Sequence, residues 1–236
     1  MPPIPPKQTL AFDVYGTLLD TSSVSAALGK ELSISDDKAK ALAGLWRQLQ
    51  LTYTFRLNSM GLYKPFDFVT RQSFLHAAKE SGYTVSDSTV DNVCNAYWEL
   101  GAFPDAVDAL KELQKRGHVD VLVFSNGTPK MIGSALDAGG ISSLIPRGFL
   151  VESVQKYKPT PDVYKGLLKY VGKESSPESV YLVSGNPFDI TGARNVGLSA
   201  IWVNRTGAEW ADALTDLKPS KVVKSLTELP GLDLFA

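Results

Sequence analysis

The chain has 236 residues, and its 24 Lys and Arg nearly cancel its 25 Asp and Glu, which gives no basis for wholesale attraction to nucleic acid or an anionic membrane and points to a small-molecule partner. Cys94 is the single cysteine, which excludes an internal disulfide framework and a cysteine-rich metal site and suits a reducing, cytoplasmic location. The length exceeds that of a typical single domain and fits one α/β core carrying an inserted second lobe.

Residues 1–8, MPPIPPKQ, are proline-rich and lack the apolar run of a signal peptide, so a flexible tail is expected. No stretch approaches the roughly 18 apolar residues of a membrane span. Residues 9–15 (TLAFDVY) read as a short apolar strand. Residues 21–102 contain no convincing strand and read as helices interrupted at Gly61, Pro65 and Gly82, a helical cap inserted after the first strand. Within the cap, a rotation of about 100° per residue collects Leu42, Leu45, Trp46, Leu49 and Tyr53 on one helical face. Arg47, Leu51 and Phe55 fall largely opposite with Gln48, and a helix apolar on two sides is expected to pack on both. Residues 104–117 (PDAVDALKELQKRG) form a further helix closed by Gly117. Strand-like runs follow at 119–125, 148–152, 179–184 and 199–204. This alternation predicts a doubly wound, Rossmann-like parallel sheet in an α/β core made of residues 9–20 and 103–236.

In open parallel sheets ligands sit beyond the carboxyl ends of the strands, and here those ends are polar. The first strand runs into Asp13-Val14-Tyr15-Gly16-Thr17, the second into Ser125-Asn126-Gly127, and the fourth into Ser184-Gly185-Asn186-Pro187-Phe188-Asp189. An isolated aspartate in such a place reads as a turn or cap residue. Asp13 has better company: Gly16 permits a tight loop around the carboxylate and Thr17 carries a hydroxyl able to orient it, both of use to an aspartate nucleophile. Lys158, between Tyr157 and Pro159, reads either as an exposed lysine or as a cation offsetting the repulsion between Asp13 and Asp189. Arg47 reads either as a surface arginine or as a cation turned towards the core. His76, His118 and Cys94 have no partners in these motifs and read as incidental cap, loop and packing residues.

The ordered set FDVYGTL, SNG, YKPTPDVY and NPFDITGAR, with LWRQLQLTYTF in the cap and the late IWVNRTG, resembles the haloacid dehalogenase superfamily over about residues 9–207, and in particular its L-2-haloacid dehalogenase branch. The resemblance implies cofactor-independent hydrolysis of small L-2-haloalkanoic acids to D-2-hydroxy acids, with inversion, through an ester on Asp13. It implies a homodimer as well. It assigns the halide to Arg47 and Asn126, and the substrate carboxylate to Ser125 and backbone amides after Asp13. Val14, Tyr15, Gln48, Leu51, Phe66 and Phe188 shape the pocket. Thr17 orients Asp13, and Tyr164 supports Lys158. Asp189, with Ser184, Asn186 and Lys158 nearby, directs the hydrolytic water, and either Asp189 or Lys158 takes its proton. Phe188 departs from the tryptophan of better-known relatives, which puts size preference in question.

Most relatives in the superfamily are magnesium-dependent phosphatases resembling DxDxT, whose second Asp protonates the leaving oxygen. Tyr15 stands at that position, removing an acid that typically accelerates such a step by about 10²- to 10⁴-fold. A halide leaves without a proton. Asn186 likewise replaces an acidic ligand that magnesium favours, so no metal is expected. The competing expectations are a magnesium-dependent phosphatase, a fluoroacetate-type dehalogenase, and a non-catalytic binding protein on the same fold.

Overall fold

The computed structural model describes residues 8–233, so the proline-rich stretch, apart from Gln8, lies outside the described residues. In chain order the elements are β1 (Gln8–Phe12), α1 (Ser23–Leu32), α2 (Asp36–Ser59), α3 (Phe66–Glu80), α4 (Asp87–Asn95), α5 (Pro104–Gln114), β2 (Val119–Ser125), α6 (Pro129–Ala138), β3 (Gly148–Leu150), α7 (Pro161–Val171), β4 (Val180–Ser184), α8 (Pro187–Asn195), β5 (Ser199–Val203) and β6 (Lys221–Val223). The strands form one parallel sheet in the order β3-β2-β1-β4-β5-β6. Helices cover both faces of such a sheet, which is why its central strands are apolar throughout. Leu10, Ala11 and Phe12 of β1 are fully buried.

From β1 the chain runs outwards through β2 and β3, then crosses back to β4 on the other side of β1. That reversal opens a crevice at the carboxyl ends of β1 and β4, where ligands of doubly wound sheets bind. In register, Phe12 pairs with Val123 of β2 and Val183 of β4, which brings the three polar strand ends to one level.

Between β1 and α5 the structure is helical, with breaks at Gly61, Pro65 and Gly82. The two-sided pattern of α2 is realised. Leu42 and Trp46 are buried and Leu45, Leu49 and Tyr53 partly buried on one face, while Arg47 and Leu51 are half-buried on the other. Trp46 anchors α2 to α3: its indole N–H donates to the Thr70 carbonyl (2.9 Å), and its ring packs on Phe74 at 4.8 Å and Tyr97 at 5.0 Å. Both crossings between these helices and the sheet are tied together beside the β1 loop. The Asp20 N–H donates to the Gly101 carbonyl and the Phe103 N–H to the Leu18 carbonyl, each at 2.9 Å.

Two strand readings are shortened and one strand is added. β1 ends at Phe12 because the chain turns at Asp13, and β3 ends at Leu150 because Val151–Ser153 coil into a 3₁₀ turn. The edge strand β6 was not anticipated; it has three residues, two of them exposed, and so shows no hydrophobic alternation. No helix among the described residues is long and apolar enough to cross a membrane.

Candidate active site

Asp13 sits one residue beyond β1, 7 % exposed, at the mouth of a tight turn. Gly16 makes the turn with φ +79°, a region that a side chain disfavours. The N–H groups of Gly16, Thr17, Leu18 and Leu19 are all spent inside it, on carbonyls of Val14 and Leu19. The turn is braced from outside by Arg205, which donates to the Thr17 carbonyl (2.8 Å), pairs with Asp105 (2.9 Å) and covers the Phe103 ring at 3.9 Å. Gly185 lets the β4 loop approach the turn: a Cβ there would lie 2.8 Å from the Gly16 carbonyl.

The two oxygens of Asp13 are treated unequally. Oδ2 accepts from the Thr17 hydroxyl (2.9 Å) and the Asn186 amide (2.7 Å), while Oδ1 accepts, among the described residues, from Lys158 Nζ alone (3.2 Å). The Thr17 hydroxyl is itself fixed by the Gly185 N–H at 2.9 Å, so it must point its proton at Asp13.

Lys158 is 1 % exposed. Besides Asp13 it donates to Asp189 Oδ2 (2.8 Å) and the Phe124 carbonyl (2.7 Å), and it lies over the Phe124 ring at 4.0 Å. An ammonium has three donors, and all are used. Asp189, in the first turn of α8, is wholly buried and takes its second bond from the Tyr164 hydroxyl at 2.7 Å. Burial pushes its carboxyl above the usual range; Lys158 opposes this, and the negative charge of Asp13 adds to it. Tyr164 is held neutral for the same reasons, burial first and Asp189 second.

Asn186 joins the two halves of the site. It occupies the position preceding α8, yet its side chain makes no capping bond. Its Oδ1 accepts from Arg47 Nη2 (2.6 Å) across the interface with α2, and its Nδ2 donates to Asp13. Together these groups enclose a cavity of about 30 Å³ lined by Asp13, Tyr15, Arg47, Gln50, Leu51, Phe66, Asn126, Lys158, Asn186 and Phe188. Phe188 meets Phe55 of α2 edge-on at 5.7 Å, closing one wall. Tyr15 is buried, and desolvation raises its phenol well above the usual range, which makes it a poor proton donor to a leaving group. A larger surface hollow of about 540 Å³, beside Arg71 and Cys94, contains none of these groups.

Most of the expected residues converge, but several sit elsewhere. Gln48 is exposed; Gln50, two residues on and about 200° round the helix, lines the cavity in its place, its amide donating to Thr70 at 2.8 Å. The Val14 side chain is buried, and its carbonyl accepts three amides, so only its backbone N–H remains to serve the site. The Ser125 and Ser184 hydroxyls are buried and accept from the N–H groups of Gly127 and Asn186, each at 3.1 Å, which braces their loops without using the hydroxyl protons. Tyr164 reaches Lys158 only through Asp189. His76 bonds Tyr53 and Glu80 on the surface of the helical lobe, and burial pushes the Cys94 thiol up to about 12. The residues missed are Gln50 and Asn58; helical periodicity puts Asn58 on the Arg47 face of α2, but nothing in the sequence shows what lies across from either.

Residues 7–197 match the family model of haloacid dehalogenase-like hydrolases. The chain is 33 % identical over 198 residues to an (S)-2-haloacid dehalogenase of Pseudomonas sp. strain YL, covering 84 % of this chain and 83 % of that one. It is 33 % identical over 218 residues to (S)-2-haloacid dehalogenase 4A of Burkholderia cepacia, covering 92 % and 91 %. Among solved structures, the L-2-haloacid dehalogenase of Xanthobacter autotrophicus with chloropropionic acid covalently bound superposes with a TM-score of 0.85 at 28 % identity, over 95 % of this chain and 97 % of that one. With the family model matched over residues 7–197 and relatives 33 % identical over most of its length, the chain belongs to the haloacid dehalogenase-like hydrolases.

Proposed function

We propose that this protein is an (S)-2-haloacid dehalogenase that hydrolyses small L-2-haloalkanoic acids to D-2-hydroxy acids. The observation that carries the reading is the unequal binding of Asp13: one oxygen is fixed by two donors, and the other holds a single bond and faces a small cavity shared with Arg47. The names and coverage of the relatives support the same reaction.

In the first step Asp13 Oδ1 attacks C2 opposite the halogen. The carbon–oxygen bond forms as the carbon–halogen bond breaks, the configuration inverts, and halide departs towards Arg47 and Asn126. The fixed guanidinium charge favours the developing anion, in a site with little water to screen it. The substrate carboxylate is received by the Ser125 hydroxyl and the backbone amides of the loop after Asp13. In the second step water adds to the Asp13 carboxyl carbon, the hydroxy acid leaves, and Asp13 is restored. Lys158 lies between the cavity and Asp189, so it relays the proton, giving one to Asp189 Oδ2 while taking one from the water. A carboxylate whose affinity for protons is raised by burial is the better base for this task.

The cavity of about 30 Å³ has room for about two waters, so admitting substrate requires the helical lobe to move away from the sheet and break the Arg47–Asn186 bond. Magnesium does not fit the donor set. Lys158 already bridges the two carboxylates, and the Asn186 oxygen is taken by Arg47. Among the described residues no group of three or more His, Cys, Asp or Glu is arranged to hold a metal ion. A cytoplasmic location rests on the lone cysteine, and a homodimer on the family resemblance.

The deciding experiment incubates EDTA-treated protein with each enantiomer of 2-chloropropionate, and with a small phosphomonoester plus magnesium, and measures chloride and phosphate together. Chloride from the L enantiomer alone, with D-lactate formed and none released by Asp13→Asn, is the expected result. Phosphate without chloride would replace this reading with the phosphatase one. Ligand binding with neither product would leave a binding protein.

A further inference from the structure

Asn58 lies in the last turn of α2, half-buried. About 100° per residue returns it to within about 20° of the direction of Arg47, about 16 Å further along the same helix face. There it grips the main chain of one residue of the facing loop twice. Its Oδ1 accepts from the Tyr157 N–H at 2.9 Å, and its Nδ2 donates to the Tyr157 carbonyl at 2.7 Å. This is the pairing a neighbouring strand would make, supplied by a side chain. Tyr157 is also seized by its ring and hydroxyl: it stacks on Tyr63 at 5.4 Å, packs on Phe66 at 5.9 Å and donates to the Lys64 carbonyl.

The next residue is Lys158, whose N–H donates to Asn126 Oδ1 at 3.1 Å and whose ammonium joins Asp13 to Asp189. The backbone that carries this ammonium is therefore held from the helical lobe, at the residue immediately before it. We propose that Asn58 is a positioning residue for Lys158, coupling the closed placement of α2 to the assembly of the buried ion cluster. The inference rests on the dehalogenase reading, in which Lys158 serves Asp13 and Asp189. One helix face thus makes two grips on the loops that react: Arg47 on Asn186, released when substrate is admitted, and Asn58 on Tyr157, which keeps Lys158 in register.

The test uses Asn58→Leu, which keeps volume and removes both bonds, and Asn58→Ala. Halide release is measured as kcat and KM, the melting temperature is followed alongside, and amide exchange of the segment around residue 157 is read by mass spectrometry. The expected result is faster exchange confined to that segment, kcat lower by about 10- to 100-fold with KM little changed, and a nearly unchanged melting temperature. Unchanged exchange would show that the grip is not made in solution and overturn the proposal. So would full kcat despite faster exchange, or a loss of activity that merely follows a loss of folded protein. Wild type that releases no halide would sink the dehalogenase reading and this role with it, while the exchange result would still report separately on the grip.

Discussion

Replacing Lys158 by Met tests the electrostatic centre of the site. The side chain is of similar length, so the change removes a charge and three donors with little change in bulk. Left behind are Asp13 and Asp189, 7 % and 0 % exposed, with no cation between them. Their facing oxygens bond the same nitrogen, so they lie within about 6 Å of each other, and at an effective dielectric of about 20 their repulsion is about 3 kcal/mol, roughly a hundredfold in an ionisation equilibrium. Lys158 is the strongest influence opposing the burial that raises Asp189, so its loss raises Asp189 further. The base form is then lost at a higher pH than in wild type, and Asp13 Oδ1 loses its bond from Lys158. Chloride release from L-2-chloropropionate, followed by ion chromatography from mildly acid to alkaline pH, should fall by about 10²-fold or more near neutrality and climb with pH where wild type is level. Stripping one partner from a buried pair also costs about 3–5 kcal/mol, read as a lower melting temperature. A variant with the rate and pH profile of wild type would refute the argument that the ammonium holds this pair ready.

Arg47→Ala should lower kcat/KM for chloride release by about 10²- to 10³-fold and abolish product inhibition by added chloride, which inhibition assays on the two proteins would check. Asp189→Asn should release one equivalent of halide and then stall, with the ester on Asp13 visible by intact-protein mass spectrometry; continued turnover would remove Asp189 from the water step. In wild type the sign follows from the raised carboxyl: the base form of Asp189 is lost as pH falls, so kcat should decline on the acid side at a pH above the ordinary Asp value of about 3.9, and a decline only at the ordinary value would contradict the assignment. Phe188→Trp should crowd the wall shared with Phe55 and shift preference from 2-chlorobutyrate towards chloroacetate by about tenfold or more in relative kcat/KM, whereas a shift the other way would mean that Phe188 does not limit size.

The sheet was legible in the sequence because its strands are buried on both sides and so carry unbroken apolar runs, and the site was legible because polar residues interrupt those runs at their carboxyl ends. Asp13, Lys158 and Asp189 share one hydrogen-bonded cluster as their order along the chain suggested. What stayed hidden depended on direction. Ser125 and Ser184 follow apolar strands just as Asp13 does, and no pattern tells whether a hydroxyl faces a cavity or turns back to an amide two residues on. Gln48 and Gln50 differ by about 200° of helical rotation, and the choice between them was decided by the partner Thr70 on α3. Asn58 has no motif at all; its importance comes from what lies across from it.

Asn186 illustrates how a protein can be held below its attainable stability. Asparagine just before a helix ordinarily turns its oxygen to the exposed N–H groups of the first turn, and losing such a cap costs about 1 kcal/mol. Here the oxygen is given to Arg47 and the amide to Asp13, so α8 starts without that support. Selection for heat resistance alone would favour a residue whose oxygen turns back to cap α8; Asp there would have no donor for Asp13, and a Ser or Thr hydroxyl spent on the cap would be too short to serve Arg47 and Asp13 as well. Asparagine at position 186 thus gives the site the groups that a cap would use, and libraries screened only for survival on heating should discard it early.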